Sequence, residues 1–448
     1  MKLESIEPAG NHRRLGLGIA AAIAALFLLA AAVAVIVATR GHEQQITSPA
    51  SGKITSADVG RLRLAWRGPV GSGARVQQIV QGGGYVFAAA ATRESGSVWA
   101  FPASCGTGGT TCDPLWHTAP SPSARYPSLA FADGMLFVGG DDVFAFAPSC
   151  RTDGGVCSPA WTGQVQGGVH GLLAARDVIY AGSSESYPSG RIYAFPAGCT
   201  PTGSRCAPLW VSEEIAPGRP GHQLFPLVPA TVAGGLLYAA PVGGPVGNGQ
   251  NLDEADLYTF PVRCRTDGEV CDRAQSTHVE GARFVSPPTF AGGVLYLGTA
   301  TNDIDDSGGS LRAYDGACGV RPQCELWTAT TPFALNRFQP IVAGSSVVVA
   351  SYFGSAVRAY PIQCSDPCSP AWSASGDNAV ATGDVVFAIS YDSQFVSALP
   401  LACGSGNAAC HPVWSANTQG ANNLQASRSE LFVGSDGAVL AFGLSPHG

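Results

Sequence analysis

The sequence predicts an all-β protein of eight sheet repeats preceded by one apolar helix, and three observations carry that expectation. Seven times a short strand ending in cysteine is followed, a few residues on, by a second cysteine and usually a tryptophan. Between these phrases, alternating apolar residues are broken by glycine turns, the pattern of half-buried strands joined in hairpins. An uncharged apolar run at 15–38 stands apart from all of this near the amino end.

That run, LGLGIAAAIAALFLLAAAVAVIVA, is 24 residues long. At 1.5 Å per residue it can cross a hydrocarbon core of about 30 Å. A cleaved secretory signal would have an apolar stretch of roughly 7 to 15 residues, so a retained anchor is expected. His12, Arg13 and Arg14 precede it and only Arg40 closely follows, which places residues 1–14 in the cytoplasm. The expected organisation is a cytoplasmic tail at 1–14, a single transmembrane anchor at 15–38, a linker at 39–54 and an extracytoplasmic domain at 55–446 of the cell membrane.

The cysteines agree with export. All 14 fall into local pairs. Regular pairs in an exported chain read as disulfides, whereas zinc would need four ligands converging from repeats that each hold only two. The expected bridges are Cys105–Cys112, Cys150–Cys157, Cys199–Cys206, Cys264–Cys271, Cys318–Cys324, Cys364–Cys368 and Cys403–Cys410, each closing the loop of its own hairpin. Closing such a loop restricts the unfolded chain by about 2.5 kcal/mol.

Each repeat holds four strands. In SPPTFAGGVLYLGTA at 286 a strand, a glycine turn and a second strand are followed by the acidic loop NDIDDSGG, a third strand SLRAYDG and a fourth ending in CELW. Trp66, Trp116, Trp161, Trp210, Trp327, Trp372 and Trp414 close successive units, with Gln275 where one more belongs. A repeat of this length cannot bury its own apolar face and must stack on its neighbours. Eight four-stranded antiparallel units therefore predict an eight-bladed β-propeller. The last unit has only three strands, and LRLAW at 62–66 is expected to supply its fourth and close the ring, removing exposed sheet edges. The tryptophans are expected to pack between blades.

Residue by residue, the unit resembles the repeat of the pyrroloquinoline-quinone-type (PQQ-like) β-propellers. LFVGSDGAVLAF at 431 matches that pattern, and the likeness covers 62–444. Where the family has Asp-x-x-Thr-Gly in the last turn of a blade, this chain has its cysteine pairs. The resemblance implies either a PQQ-dependent quinoprotein oxidoreductase or a scaffold similar to the propeller lipoprotein of the outer-membrane β-barrel assembly machinery. Quinoproteins of this kind stack the quinone on a tryptophan, hold calcium with acidic and amide side chains, and many carry two adjacent cysteines. No adjacent pair exists here.

Strand alternation puts all seven cysteine pairs on one face and the longest loops on the other. Binding usually resides on loops held by a rigid scaffold. The disulfide-free face over blades 4 to 6 is thus the expected site, with Glu213, Glu214, Arg219, His222, Phe225, Asp253, Glu254, Asp256, Arg337 and Phe338 as contacts. Within it, Asp303, Asp305 and Ser307 have the alternate-oxygen spacing of a calcium loop, although Tyr314 stands where the usual glutamate would be.

Net charge is −7, and the only lysines are Lys2 and Lys53, so no basic surface is available for nucleic acid. Nucleophile-elbow, phosphate-loop and zinc-helix motifs are all missing. The expectation is a monomeric, non-catalytic binding or scaffold module for an envelope protein or wall polymer, with no cofactor; calcium or PQQ would mark the alternative.

Overall fold

The computed structural model describes residues 54–444 apart from 107, 122–126, 184–189, 200–203, 216–226, 242–254, 265–269, 274, 283, 302–306, 318–320, 336, 352–353, 392–393 and 428. The apolar run at 15–38 lies outside the described residues. None of the described helices is long and apolar enough to cross a membrane.

The described chain forms eight antiparallel blades. Blade 1 comprises Arg75–Gly82, Tyr85–Ala91, Gly96–Pro102 and Trp116–Thr118; blade 2 comprises Ser128–Ala132, Met135–Gly139, Val143–Phe146 and Trp161–Gly163. Val169–Ala175, Val178–Ser183, Ile192–Pro196 and Trp210–Ser212 make blade 3, and Leu227–Ala233, Leu236–Pro241, Ala255–Pro261 and Gln275–Val279 make blade 4. Blade 5 has its first strand broken into Phe284–Val285 and Thr289–Ala291, then Val294–Ala300, Ser307–Asp315 and Glu325–Phe333. Ile341–Ala343, Ser346–Ser351, Ala356–Pro361 and Trp372–Ser375 form blade 6; Asn378–Thr382, Val385–Ser390, Phe395–Pro400 and Trp414–Asn417 form blade 7. In blade 8, Asn423–Ala426, Glu430–Ser435 and Ala438–Leu444 take Leu62–Pro69 as their outer strand. That pairing runs antiparallel from Leu62 opposite Leu444 to Pro69 opposite Ala438 and closes the ring as expected.

First strands of successive blades pack on one another all the way around, so they line the centre. The first hairpins of blades 1, 2, 4 and 5 turn through two left-handed residues, for example Gly83 and Gly84 at φ 60° and 84° and Asp133 and Gly134 at φ 48° and 71°. Left-handed pairs match the twist of the flanking strands, and glycine adopts them without steric penalty.

Between blades the closing tryptophans pack as expected. Trp116 lies 5.9 Å from Phe87 of its own second strand and 5.8 Å from Phe146 on the third strand of the next blade. Trp161 sits the same way between Phe137 and Phe195, and Trp210 between Tyr180 and Phe260. The indole N–H then reaches a carbonyl two residues before the first cysteine of the following blade: Trp66 to Ala103, Trp116 to Pro148, Trp327 to Ile362 and Trp372 to Leu401. Space for the neighbouring ring is made two residues after the tryptophan. A Cβ at Gly68 would lie 2.7 Å from Phe101, and one at Gly163 2.6 Å from Phe195.

Six of the seven expected disulfides are present: 105–112, 150–157, 199–206, 264–271, 364–368 and 403–410. Cys324 is also disulfide-bonded, while Cys318 lies outside the described residues. One expectation changes. These loops are more than hairpin ends, and the blades are not uniformly four-stranded: the returning limb of a disulfide loop crosses to the preceding blade and adds a short parallel strand to its outer edge. Thr110–Thr111 pairs with Trp66–Arg67, Val156–Cys157 with His117–Thr118, Arg205–Cys206 with Thr162–Gly163, Val270–Cys271 with Val211–Ser212, and Ala408–Ala409 with Trp372–Ser373. An outer strand otherwise presents a row of unpaired N–H and C=O groups, and this limb satisfies them. Each such loop therefore clasps two blades together.

The 7–8 junction is built differently. Ile54, Val59 and Leu62 pack between these blades with Phe387, Leu424 and Phe442. Ser56 bonds Asp384 through its backbone N–H at 2.8 Å and its hydroxyl at 2.5 Å, and Trp414 donates to the Leu62 carbonyl.

Candidate functional site

The first strands wall a central channel, and side-chain amides stitch that wall together. Gln78 of blade 1 accepts from Leu129 N at 2.7 Å and donates to the Leu129 carbonyl of blade 2. Asn423 of blade 8 accepts from Ile79 N of blade 1. Gln339, in the connector into blade 6, donates to the Pro288 carbonyl at 2.7 Å and to Ala230 O of blade 4 at 3.4 Å. Bulges interrupt the first strands of blades 1, 3 and 4 beside Val76, Val169 and Pro229. A bulge leaves one residue outside the ladder and re-aims it. In blade 3 that residue is His170, exposed to solvent yet held below its ordinary pKa by desolvation within the ring.

Along the inner strand of blade 7 the wall opens into a cleft of about 260 Å³. Phe338, Gln339 and Ile341 line it from blade 6, Asn378, Ala379, Val380 and Ala381 from blade 7, and Gln425 and Ala426 from blade 8. Asn378 bonds Ala379 N, and Gln425 bonds the Ala426 carbonyl. The lining is a strip of small apolar side chains with one aromatic and three amides, and none of the nine residues carries a charge. Such a surface suits an extended ligand that alternates apolar groups with hydrogen-bonding ones.

The expected contact residues divide into three groups. Phe338 lines the cleft, and Arg337 beside it is exposed. Glu213 and Glu214 follow the outer strand of blade 3, where Glu213 pairs with Arg273 of blade 4 at 3.1 Å and Glu214 with Arg191 at 3.4 Å. Asp256, on the third strand of blade 4, accepts from the Tyr258 hydroxyl at 3.4 Å and from Ser276 at 3.3 Å, with His278 Nδ1 3.6 Å away. Burial, and then the Asp256 carboxylate, push the Tyr258 hydroxyl well above its ordinary pKa, so it stays a donor. Arg219, His222, Phe225, Asp253, Glu254, Asp303 and Asp305 lie outside the described residues, and Ser307 opens the third strand of blade 5. The described members thus sit in separate places: the blade 3 edge, the blade 4 sheet and the channel mouth.

What sequence reasoning missed is the inner-strand lining. Its signal was present: Gln77 and Gln78, Asn378, and Asn423 and Gln425 occupy first strands where apolar residues would be expected. Among the described residues, no group of three or more His, Cys, Asp or Glu side chains is placed to hold a metal.

No protein-family model matches this sequence, and no curated protein matches it. Solved structures do. BamB from Moraxella catarrhalis superposes with a TM-score of 0.54 at 13% identity, over 85% of this chain and 99% of that one. Sqt1 from Chaetomium thermophilum gives 0.56 at 15% identity over 86% and 98%, and the computationally designed Ika8 protein 0.56 at 11% over 85% and 99%. At these identities the likeness is one of fold: the chain is a β-propeller.

A quinone of the kind the PQQ-like resemblance implies does not fit the described cleft. It would need a tryptophan to stack on, and the lining contains none. Trp66, Trp116, Trp210 and Trp372 are fully buried between blades, and Trp99 stacks on His117, 4.7 Å between centroids.

Proposed function

We propose that this chain is an extracytoplasmic binding platform, held at the cell membrane by residues 15–38 with its amino terminus in the cytoplasm, that takes an envelope protein at the mouth of its channel. The observation that carries the reading is the cleft along blade 7. It joins an aromatic ring, Phe338, to the amides of Gln339, Asn378 and Gln425 over a strip of alanine and valine, set in a wall fixed by disulfide-clasped blades. A wall polymer would use the same amides, but the apolar strip favours a polypeptide. Calcium at Asp303, Asp305 and Ser307 would support the neighbouring loop and has no part in chemistry under this reading.

A photo-crosslinking residue placed at Phe338 in the full chain, in intact cells, tests it. Adducts should form with one recurring protein and disappear when Gln425 is replaced by a bulky tryptophan. The same crosslinker at Asn407, on the disulfide side, should not capture that protein. Adducts confined to wall glycan, or equal capture from both faces, would sink the proposal.

A further inference from the structure

Among the described residues the outer strands of blades 4, 5 and 7 carry no parallel segment, and of these three only blade 7 is followed by a blade without a cysteine pair. On five other blades the outer strand carries a parallel segment from the next disulfide loop, with a repeated bonding scheme. The residue before the tryptophan accepts: Ala65 from Gly109 N, Leu115 from Gly154 N, and Ala371 from Ala408 N. The residue after it accepts from the second cysteine, as Arg67 does from Cys112 and Ser373 from Cys410, or donates outward, as Thr162 N does to the Ser204 carbonyl. On blade 7 the corresponding groups are the Val413 carbonyl and the N–H and carbonyl of Ser415. Among the described residues none of these outward groups has a partner. Blade 8 has no cysteine pair to send one.

The closing tryptophan of blade 7 is also the most exposed of the seven; even Trp327 of blade 5, whose edge receives, among the described residues, only the Cys368 N–H at the Thr328 carbonyl, is buried. Trp66, Trp116, Trp161, Trp210, Trp327 and Trp372 are all buried, at 3% exposure or less, whereas Trp414 is only half-buried. Val413 beside it is 50% exposed, and Phe395, paired with Asn417 at the other end of the strand, is 43% exposed. These are two of the five most exposed large apolar residues described, and they bracket one unpaired edge.

We propose that this edge receives an extended segment of a second protein as a parallel strand, completing blade 7 as the chain's own loops complete blades 1, 2, 3, 6 and 8. This rests on the reading of the chain as a binding platform, and it names a second docking surface. The internal clasps specify the occupant. It is at least three residues long, free of proline at the bonded positions, and carries one small apolar side chain where the clasps place the second cysteine, opposite Thr118, Gly163 or Ser212. Those cysteines are nearly completely buried, so the slot is apolar. Main-chain bonds give such a strand its affinity and the slot its selectivity. Own-chain segments are the less suited occupants. The described amino-terminal stretch is already committed at Ser56 to Asp384, in the hairpin turn of blade 7, and at Leu62 to Trp414.

The probe is a synthetic copy of residues 152–158 with Cys157 replaced by valine, added to the full-length chain in detergent while amide hydrogen exchange is followed. Without peptide, the Ser415 amide should exchange at least 10-fold faster than the clasped Thr162 amide. Saturating peptide should slow it at least 10-fold and leave Thr162 unchanged. Ser415→Pro, which takes away an outward N–H, should keep the melting temperature and weaken binding of the fluorescently labelled peptide, read by anisotropy, at least 10-fold. A Ser415 amide already protected in the absence of peptide would show that the chain itself or a second copy fills the edge, and would overturn the proposal. So would a failure of millimolar peptide to slow exchange. Either failure leaves the crosslinks from Phe338 untouched, so the two readings are judged separately.

Discussion

Opening one clasp tests how the ring is held. Replacing Cys150 and Cys157 by alanine removes the bridge that closes the loop reaching from blade 2 to blade 1. The bridge spans a sequence separation of 7, for which the chain-entropy relation gives about 2.5 kcal/mol at 25 °C. That free energy has a local address. The loop donates Gly154 N to the Leu115 carbonyl at 2.9 Å and accepts His117 N at Gly155 O at 3.2 Å.

If the bridge acts by holding this limb on its neighbour, the variant should lose protection at the Gly154 and His117 amides by up to about 60-fold, the equivalent of that free energy at 1.4 kcal/mol per decade. Thr162, clasped by the next loop to Ser204, is the internal control and should not change. Hydrogen exchange read at single amides decides the matter, and urea unfolding should show a fall no larger than about 2.5 kcal/mol. Unchanged exchange at Gly154 and His117 beside a full loss of global stability would refute the clasp. The bridge would then act on the unfolded chain alone.

Trp372→Phe keeps an aromatic ring between blades 6 and 7 but loses the indole bond to Leu401 O at 2.7 Å; chemical denaturation should show a loss of about 2 kcal/mol. Gly298→Ala should cost about 3 kcal/mol by the same measurement, because its Cβ would press on the Leu335 carbonyl inside contact distance. Burial lifts the Glu430 carboxyl above its ordinary pKa, so the folded chain keeps that proton to higher pH than the unfolded chain does. Stability from this group rises as pH falls from above the folded value to below the unfolded one, and Glu430→Gln should raise Tm at neutral pH and flatten that part of the pH profile. Ectodomain given quinone and calcium should show neither dye reduction with alcohols or sugars nor a rise in Tm beyond that from calcium alone, since a ligand bound only by the folded state must stabilise it; Asp303→Asn with Asp305→Asn should abolish any rise from calcium.

Much of the ring was legible because its signals repeat. Seven tryptophans and a glutamine counted the blades, and the orphan strands at 62–66 and 439–444 announced their own pairing. The clasp strands were not legible. They are two residues long, TT, VC, RC, VC and AA, too short to carry any periodicity, and their partner lies one blade back. The site was half legible for a related reason. Phe338 was found because it lies in a long connector, and it lines the cleft. Glu213 and Glu214 were chosen as loop acids, and the arginines that hold them, Arg273 and Arg191, come from sequence 60 and 23 residues distant. Gln339 reaches across 51 residues to Pro288 and 109 to Ala230. No local pattern announces a contact made by closing a ring.

The two proposed surfaces share one sheet. Asn378–Thr382 is the innermost strand of blade 7 and lines the cleft, while Trp414–Asn417 is its outermost strand and bears the open edge. This blade is also bounded by the junction that has no cysteine loop, where Ile54, Leu62 and Trp414 make the contact by packing and single hydrogen bonds. Junctions closed by a short covalent loop have fewer ways to open than one held by side-chain contacts, so the 7–8 sector is the part of the ring most able to adjust to a ligand. A strand added at Ser415 would extend the sheet that carries Asn378 and Val380, stiffening the cleft from behind. Both proposed surfaces would then lie on the blade whose outer neighbour sends it no cysteine loop, where adjustment to a ligand costs no covalent closure.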